Sequence, residues 1–219
     1  MKTTPPTVFR VHPVLFFGLL LVLAHVCAVA QSYDLVLTGG RVMDPATGLD
    51  ARRNVGISGG KIAAISEQTL TGATVMNVAG HVVSPGFIDL HAHGQNTADL
   101  AIKARDGVTT ALELEIGVYP VASWYEWMTG KAPINYGATV GHPGARYAAF
   151  HSGKVVDHGI PIVGPVGVLG RAGASQLTAM EQGIRRGLDE GALGVGFGIN
   201  YTPAAETAEI EALFRVAAS

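Results

Sequence analysis

The sequence predicts an α/β fold in which a β-rich segment precedes strands that alternate with helices. Short apolar runs separated by glycine turns fill residues 33–83, whereas from Pro85 onward strand-like runs are followed by helix-like stretches. Strands that alternate with helices are typical of parallel βαβ units. We therefore expect a leader over residues 1–30, part of a small β-sandwich over residues 31–84, and a parallel α/β domain over residues 85–219.

The composition indicates a globular chain and argues against a nucleic acid as its partner. Of the 219 residues, 48% are hydrophobic and only 15% are charged, so the chain can bury a sizeable core. The net charge of -2 provides no basic field for binding a polynucleotide.

The first thirty residues are typical of a secretory signal peptide. Lys2 and Arg10 give a positive leader, residues 14–29 are mostly apolar, and small residues precede a cleavage site after Ala30. An uncleaved anchor is the alternative, but about 16 apolar residues are few for a membrane span. We expect an exported protein, periplasmic or secreted, with no stable membrane anchor. Cys27 is the only cysteine, so the mature chain has no disulfide and no thiolate ligand.

Residues 33–83 carry the signals of short strands and tight turns. Residues 33–44 give two β-like runs around Gly39 and Gly40, and residues 74–86 give another pair. Residues 54–66 predict a hairpin through the turn Ser58-Gly59-Gly60.

From Pro85 onward we expect four strands, at residues 86–93, 107–115, 134–142 and 192–201. A helix is predicted over Thr97–Arg105, and residues 143–174, which are rich in Gly and Pro, predict a long loop over one mouth of the sheet or barrel.

Two further helices flank the last predicted strand. The helix before it has an apolar stripe, a capping box near its start and a glycine at its end: Leu177, Met180, Ile184 and Leu188 form the stripe, Thr178 and Glu181 the box, and Gly191 the cap. The helix after it is marked by Ile210, Leu213, Phe214 and Val216.

The stretch PGFIDLHAHG contains the residues that predict a metal site. In a strand, Asp89, His91 and His93 point to one face, and two imidazoles one pleat apart can hold a single divalent ion. An isolated His-x-His is more often a surface or core pair, but here it ends a buried-looking strand, where barrel active sites are built. Asp89 either orients the histidines from outside the ligand set or bonds backbone amides.

The next strand carries Glu113 and Glu115, also one pleat apart. Two unpaired acids are costly to bury, and a parallel strand between helices is usually covered on both sides, so a solvated face is the less favoured explanation. We expect one of these carboxylates to complete the metal site, and Glu115 is favoured because it lies nearer the end of the strand.

Several segments together resemble the start of the metal-dependent amidohydrolase superfamily. They are YDLVLTGGRVMDPATG, NVGISGGKIAAI, HVVSPGFIDLHAHG and DGVTT. The segment GHPGAR, with His142 and Arg146, and the segment EGALGVGFGINYTPAAETAEIEAL are similar to elements of the D-aminoacylase (N-acyl-D-amino-acid deacylase) branch.

The resemblance implies a distorted (β/α)8 barrel, of which this chain would contain about four βα units, with a β-sandwich beside it. It also implies hydrolysis of non-peptide amide bonds with one or two divalent ions, most simply Zn²⁺, held in part by His91 and His93. Tyr201 matches a tyrosine that contacts the substrate carboxylate; without the resemblance it would be a packing aromatic. His142 and Arg146 match a motif that either binds substrate or supports the site.

The chain also departs from this pattern. No cysteine follows the second strand, so Glu115 or Glu113 would replace that ligand, and no lysine follows the fourth strand. The later histidine ligands and the general-base aspartate would come after Ser219, so we expect an N-terminal fragment that is inactive alone and holds no catalytic acid or base. The alternatives are a dihydroorotase- or hydantoinase-like cyclic amidase, a peptidase of small dipeptides, and a non-catalytic remnant.

Overall fold

The computed structural model describes residues 32–93, 96–155 and 169–219. The chain divides into two compact units, with the boundary between Pro85 and Gly86. The signal peptide predicted for residues 1–30 lies outside the described residues. Within the described ranges, no helix is long and apolar enough to cross a membrane.

The first unit is a five-stranded sheet. Its strands are β1 (Ser32–Asp44), β2 (Leu49–Ser58), β3 (Lys61–Ser66), β4 (Thr71–Asn77) and β5 (Val82–Val83). The order is β3-β2-β1-β4, and β5 pairs with a further part of β1. β2 is antiparallel to β1 and β3, whereas β4 and β5 run parallel to β1.

The predicted hairpin is confirmed in this sheet. Ser58 pairs with Lys61 across Gly59 and Gly60, whose φ angles of +57° and +72° suit the turn that matches the twist of a hairpin. The two runs predicted around Gly39 and Gly40 form one strand with an irregularity between Leu37 and Gly40. The described residues of this unit form a single sheet, and the β-sandwich stays a prediction.

The second unit is a parallel sheet with helices between its strands. Its elements are β6 (Phe87–Asp89), α1 (Thr97–Arg105), β7 (Val108–Val118), α2 (Val121–Met128), β8 (Asn135–Gly141), α3 (His142–Phe150), α4 (Ala174–Asp189), β9 (Val195–Gly196) and α5 (Thr207–Ala217). The strands lie in chain order, β6-β7-β8-β9, and every pair is parallel. This order confirms the mixed α/β class with a parallel sheet.

The core of this unit lies where α2 and α4 cover the sheet. Trp124 and Met128 of α2 and Met180 and Ile184 of α4 are buried, and Val140 of β8 lies in the same cluster. The stripe predicted for α4 is therefore its core face. Complete burial of such side chains contributes about 1.5–3 kcal/mol each.

The two ends of α4 differ in how well the sequence predicted them. The capping box of Thr178 and Glu181 is wrong, because α4 begins at Ala174 and the side chain of Gln176 accepts the N–H of Gly173 at 3.1 Å. At the other end Gly191 has φ +100°, and its N–H donates to the carbonyl of Leu188 at 3.0 Å. The glycine cap predicted there is confirmed.

The loop predicted from residue 143 is wrong over its first part. α3 follows β8 without a break, with Pro143 in its first turn, where a fixed φ and a missing N–H are both tolerated. The last predicted strand is also shorter than expected. β9 contains only Val195 and Gly196, and Ile199–Tyr201 forms a 3₁₀ turn, because glycines at 194, 196 and 198 weaken an extended strand.

Candidate metal centre

The two predicted histidines lie just beyond β6, beside the carboxyl half of β7. β6 ends at Asp89, earlier than expected, but the chain stays next to β7. His91 forms an isolated bridge with Glu113, and the N–H of Ala92 donates to the carbonyl of Leu112 at 3.0 Å. These bonds hold the histidine segment against the strand that carries the two glutamates.

His91, His93 and Glu115 bring three donor atoms together. Nε2 of His93 lies 2.9 Å from Nε2 of His91, and Oε2 of Glu115 lies 3.2 Å from Nε2 of His91 and 3.0 Å from Nε2 of His93. The two imidazole rings are nearly perpendicular, at 86°. Within the described ranges, this is the group of three such side chains whose donor atoms all converge.

The triangle has the dimensions of a metal site. In a tetrahedral zinc site with bonds of 2.0–2.1 Å, neighbouring donor atoms are about 3.3 Å apart. The three separations here fall within about 0.4 Å of that value. The side chains of His91, His93 and Glu115 are 65%, 44% and 41% exposed, so the site is open on one side. Two imidazoles, one carboxylate and an open position form one of the donor sets found in catalytic zinc sites.

Glu113 takes a different place from Glu115. It is fully buried, and its Oε2 lies 2.7 Å from Nδ1 of His93, on the side of the ring away from the triangle. Its Oε1 accepts the backbone N–H of Ile116 at 3.1 Å. The two glutamates therefore contact opposite nitrogens of the same imidazole.

Asp89 bonds the backbone rather than a histidine ring. Its Oδ1 accepts the N–H of His91 at 3.0 Å, and its Oδ2 accepts a hydrogen bond from Nζ of Lys103 in α1 at 2.5 Å. The hydrogen bond from Lys103, followed by that from His91, holds the pKa of Asp89 below its usual range. The sequence did not single out Lys103, because nothing in it shows that α1 turns this residue toward the end of β6.

Tyr201 lies near the metal triangle. Its ring is half exposed in the 3₁₀ turn after β9. Together with Glu115 and Phe197 it lines a small cavity of about 160 Å³. The tyrosine predicted to contact substrate and the carboxylate predicted to bind metal therefore share one cavity.

His142 and Arg146 lie in the interior, where they bond Glu209 of α5. Both side chains are fully buried. Oε1 of Glu209 lies 2.7 Å from Nε2 of His142 and accepts from Nη1 of Arg146 at 2.5 Å, and Nη2 of Arg146 donates to the carbonyl of Gly170. Neither side chain reaches solvent, which agrees with the alternative that they support the site; a role in substrate binding stays a prediction.

Glu209 was not among the residues expected from the sequence, although the sequence carries a signal for it. Glu209 lies on the same helical face as Leu213 and Val216, which are buried, and an acid on an apolar face needs a partner. Burial raises the pKa of Glu209, but the hydrogen bonds from His142 and Arg146 outweigh it and hold the pKa below its usual range.

The chain is similar to known proteins over most of its length. No model of a known protein family matches the chain. An N-acyl-D-glutamate deacylase of Alcaligenes xylosoxydans xylosoxydans is 29% identical over 221 aligned positions, which cover 86% of this chain. A D-aminoacylase of the same organism is 29% identical over 196 positions and 80% of this chain. The chain is homologous to the D-aminoacylases.

Solved structures agree with this relationship. The N-acyl-D-glutamate deacylase of Bordetella bronchiseptica, complexed with zinc and a phosphonate inhibitor, superposes with a TM-score of 0.68 at 27% identity over 86% of this chain. The chain spans 42% and 40% of the two Alcaligenes relatives and 43% of this structure.

A dihydroorotase of Anaeromyxobacter dehalogenans is 44% identical over 61 residues, which cover 27% of this chain.

Proposed function

We propose that the protein is a metal-dependent amidohydrolase that deacylates N-acyl-D-amino acids, with His91, His93 and Glu115 as ligands of a divalent ion, most simply Zn²⁺. The observation that supports this most is the triangle of donor atoms with separations of 2.9–3.2 Å. The names of the homologous proteins support the substrate class. In the proposed fold, the parallel sheet of the second unit is the first half of a (β/α)8 barrel, and the first unit is part of a β-sandwich.

Each side chain of the site has a defined part in this proposal. A bound divalent ion lowers the pKa of a water ligand and polarises the carbonyl of the amide. His91 and His93 present Nε2 to the ion, and Glu115 adds a negative charge that offsets part of the charge of the metal. Tyr201, in the cavity that Glu115 also lines, contacts the carboxylate of the substrate.

The substrate class is tested on the purified gene product that contains these 219 residues. N-acetyl-D-amino acids, their L-enantiomers, and dihydroorotate and hydantoins are incubated with the protein after chelation and after addition of Zn²⁺. We expect zinc-dependent release of acetate from the D-enantiomers. Zinc-dependent hydrolysis confined to L-enantiomers or to cyclic substrates would contradict the proposal.

A cyclic amidase is the second candidate. The 44% identity to a dihydroorotase over 61 residues favours it locally, but that match covers only 14% of the relative. The D-aminoacylase relatives match 80% or more of this chain. Ring opening of dihydroorotate or hydantoin in the same panel, without release of acetate, is the result that supports this candidate.

A further inference from the structure

Glu113 is a buried acid that the proposed metal site does not use as a ligand. Its side chain is fully buried in β7, although two residues later Glu115 is 41% exposed. A buried carboxylate is costly unless its oxygens accept hydrogen bonds. Here Oε1 accepts the N–H of Ile116 at 3.1 Å, and Oε2 lies 2.7 Å from Nδ1 of His93.

Glu113 lies beside one of the two nitrogens of His93 that can carry the proton of the neutral ring. A neutral imidazole has one N–H and one bare nitrogen, and a carboxylate beside Nδ1 favours the form with the proton at Nδ1. The bare nitrogen is then Nε2, which lies 2.9 Å from Nε2 of His91 and 3.0 Å from Oε2 of Glu115. The nitrogen left with a lone pair is the one at the donor triangle.

We propose that Glu113 is a positioning residue that holds His93 as the Nδ1–H tautomer and so presents Nε2 to the metal. This inference rests on the proposed metal site and deepens it. It also assigns different roles to the two glutamates: Glu115 contacts the ion, and Glu113 acts on the ion only through His93. Hydrogen-bonded carboxylates behind ligating histidines also fix the orientation of the ring and raise the basicity of the ligand.

The tautomer is measured directly by ¹⁵N NMR of protein labelled at histidine, without metal and at alkaline pH. The chain has eight histidines, so the signals of His93 are identified by comparison with His93→Gln. In the wild type we expect the proton at Nδ1 and a bare Nε2. A wild-type His93 with its proton at Nε2 would overturn the proposal, whatever the variants show.

Two glutamine variants then separate positioning from ligation. In Glu113→Gln the Nδ1–H form is expected to decrease, and the Kd for Zn²⁺ to rise about 10- to 100-fold. In Glu115→Gln the tautomer of His93 is expected to stay as in the wild type, while the Kd for Zn²⁺ rises more than it does in Glu113→Gln. An unchanged tautomer and an unchanged Kd in folded Glu113→Gln would contradict the assignment.

The visible spectrum of bound Co²⁺ supplies a readout of ligand number. Glu113→Gln is expected to keep the wild-type band pattern at saturating Co²⁺, whereas Glu115→Gln changes it. An equal loss of bands in both variants would make Glu113 a ligand and overturn the positioning role. If the wild type binds neither Zn²⁺ nor Co²⁺, the proposed function fails, and the wild-type tautomer still decides what Glu113 does to His93.

Discussion

Glu115 and Glu113 show how two like residues, two positions apart, take unlike roles. Both carboxylates contact His93, but Oε2 of Glu115 is 3.0 Å from Nε2 and Oε2 of Glu113 is 2.7 Å from Nδ1. Nε2 of His93 faces the open side of the site, and Nδ1 faces the buried carboxylate of Glu113. The environment of the carboxylate, rather than its chemical type, separates a candidate ligand from its support.

Glu115→Gln should weaken Zn²⁺ binding more than any variant outside the donor triangle. The change removes a charged ligand and leaves the size of the side chain the same, so the Kd should rise by more than about 100-fold, beyond the range of residues that act through a ligand. The measurement is competition with a chromogenic chelator. Glu126→Gln, an exposed change in α2, is the matched control and should bind like the wild type.

Glu209 should make the protein sensitive to acid. Its pKa lies below the ordinary value of 4.5, because the hydrogen bonds of His142 and Arg146 outweigh the effect of burial. A lowered pKa stabilises the folded state at all pH values above the ordinary pKa, and this stabilisation is lost as pH falls through the lower, folded value. The free energy of unfolding from urea titrations should therefore fall below about pH 4.5.

Glu209→Ala and Glu209→Gln should show where that stability comes from. Removing one partner of a buried ion pair costs about 3–5 kcal/mol, so Glu209→Ala should be strongly destabilised near neutral pH. Glu209→Gln should lose less, and the part of the acid dependence due to Glu209 should disappear. If the free energy of unfolding of Glu209→Gln falls below pH 4.5 as steeply as that of the wild type, groups other than Glu209 cause the acid dependence.

At the scale of elements, α1 contacts the proposed metal site through an ion pair. Lys103 in the last turn of α1 donates to Asp89 at the end of β6, and Asp89 in turn accepts the N–H of His91. The side chains of Lys103 and Asp89 are 24% and 26% exposed, so water screens the pair only in part. The helix therefore helps to fix the backbone of a proposed ligand.

Lys103→Ala should weaken Zn²⁺ binding by up to about tenfold, at the lower end of the effects seen for residues behind a ligand. Lys103→Arg keeps the charge and should restore most of the affinity. Arg105→Ala removes a charge from the exposed side of the same helix and is the control. Equal Kd values for Lys103→Ala and Arg105→Ala would show that the contact with Asp89 does not support His91.

The elements also show which parts of the fold the sequence can predict. The helix predicted over Thr97–Arg105 has the observed bounds, and in the structure Asn96 caps its start. The hairpin predicted from the turn Ser58-Gly59-Gly60 is observed as well. α3 was missed because Pro143 and Gly144 look like a loop, although Pro143 suits a first helical turn.

Strand alternation predicts only part of the candidate site, namely which residues share a face of a strand. Alternation placed His91 with His93 and Glu113 with Glu115, but it does not show which glutamate reaches which nitrogen. The two glutamates differ in burial at the end of β7, where the pairing with β8 becomes irregular between Glu113 and Val118: Glu113 is fully buried and Glu115 is 41% exposed. Gly117 has φ +74°, and a Cβ there would lie 2.6 Å from the carbonyl of Thr139, so this close approach requires glycine.

At the scale of the whole molecule, the location of the protein is a prediction from its first thirty residues. Residues 1–30 predict a cleaved signal peptide, and we propose that the mature protein is periplasmic or secreted. N-terminal sequencing of protein recovered from the periplasm or medium should then begin at Gln31. Recovery of uncleaved chain from the membrane fraction would instead support an anchor.

The metal centre is the feature on which the whole account depends. The most direct test is a calorimetric titration of the chelator-treated protein with Zn²⁺, carried out in parallel with His91→Ala and His93→Ala. We predict saturable binding by the wild type and a loss of more than about 100-fold in affinity in each variant, because each removes one corner of the donor triangle. Zinc binding that is equally tight in wild type and both variants, or absent from all three, would contradict the assignment of His91, His93 and Glu115 as a metal site.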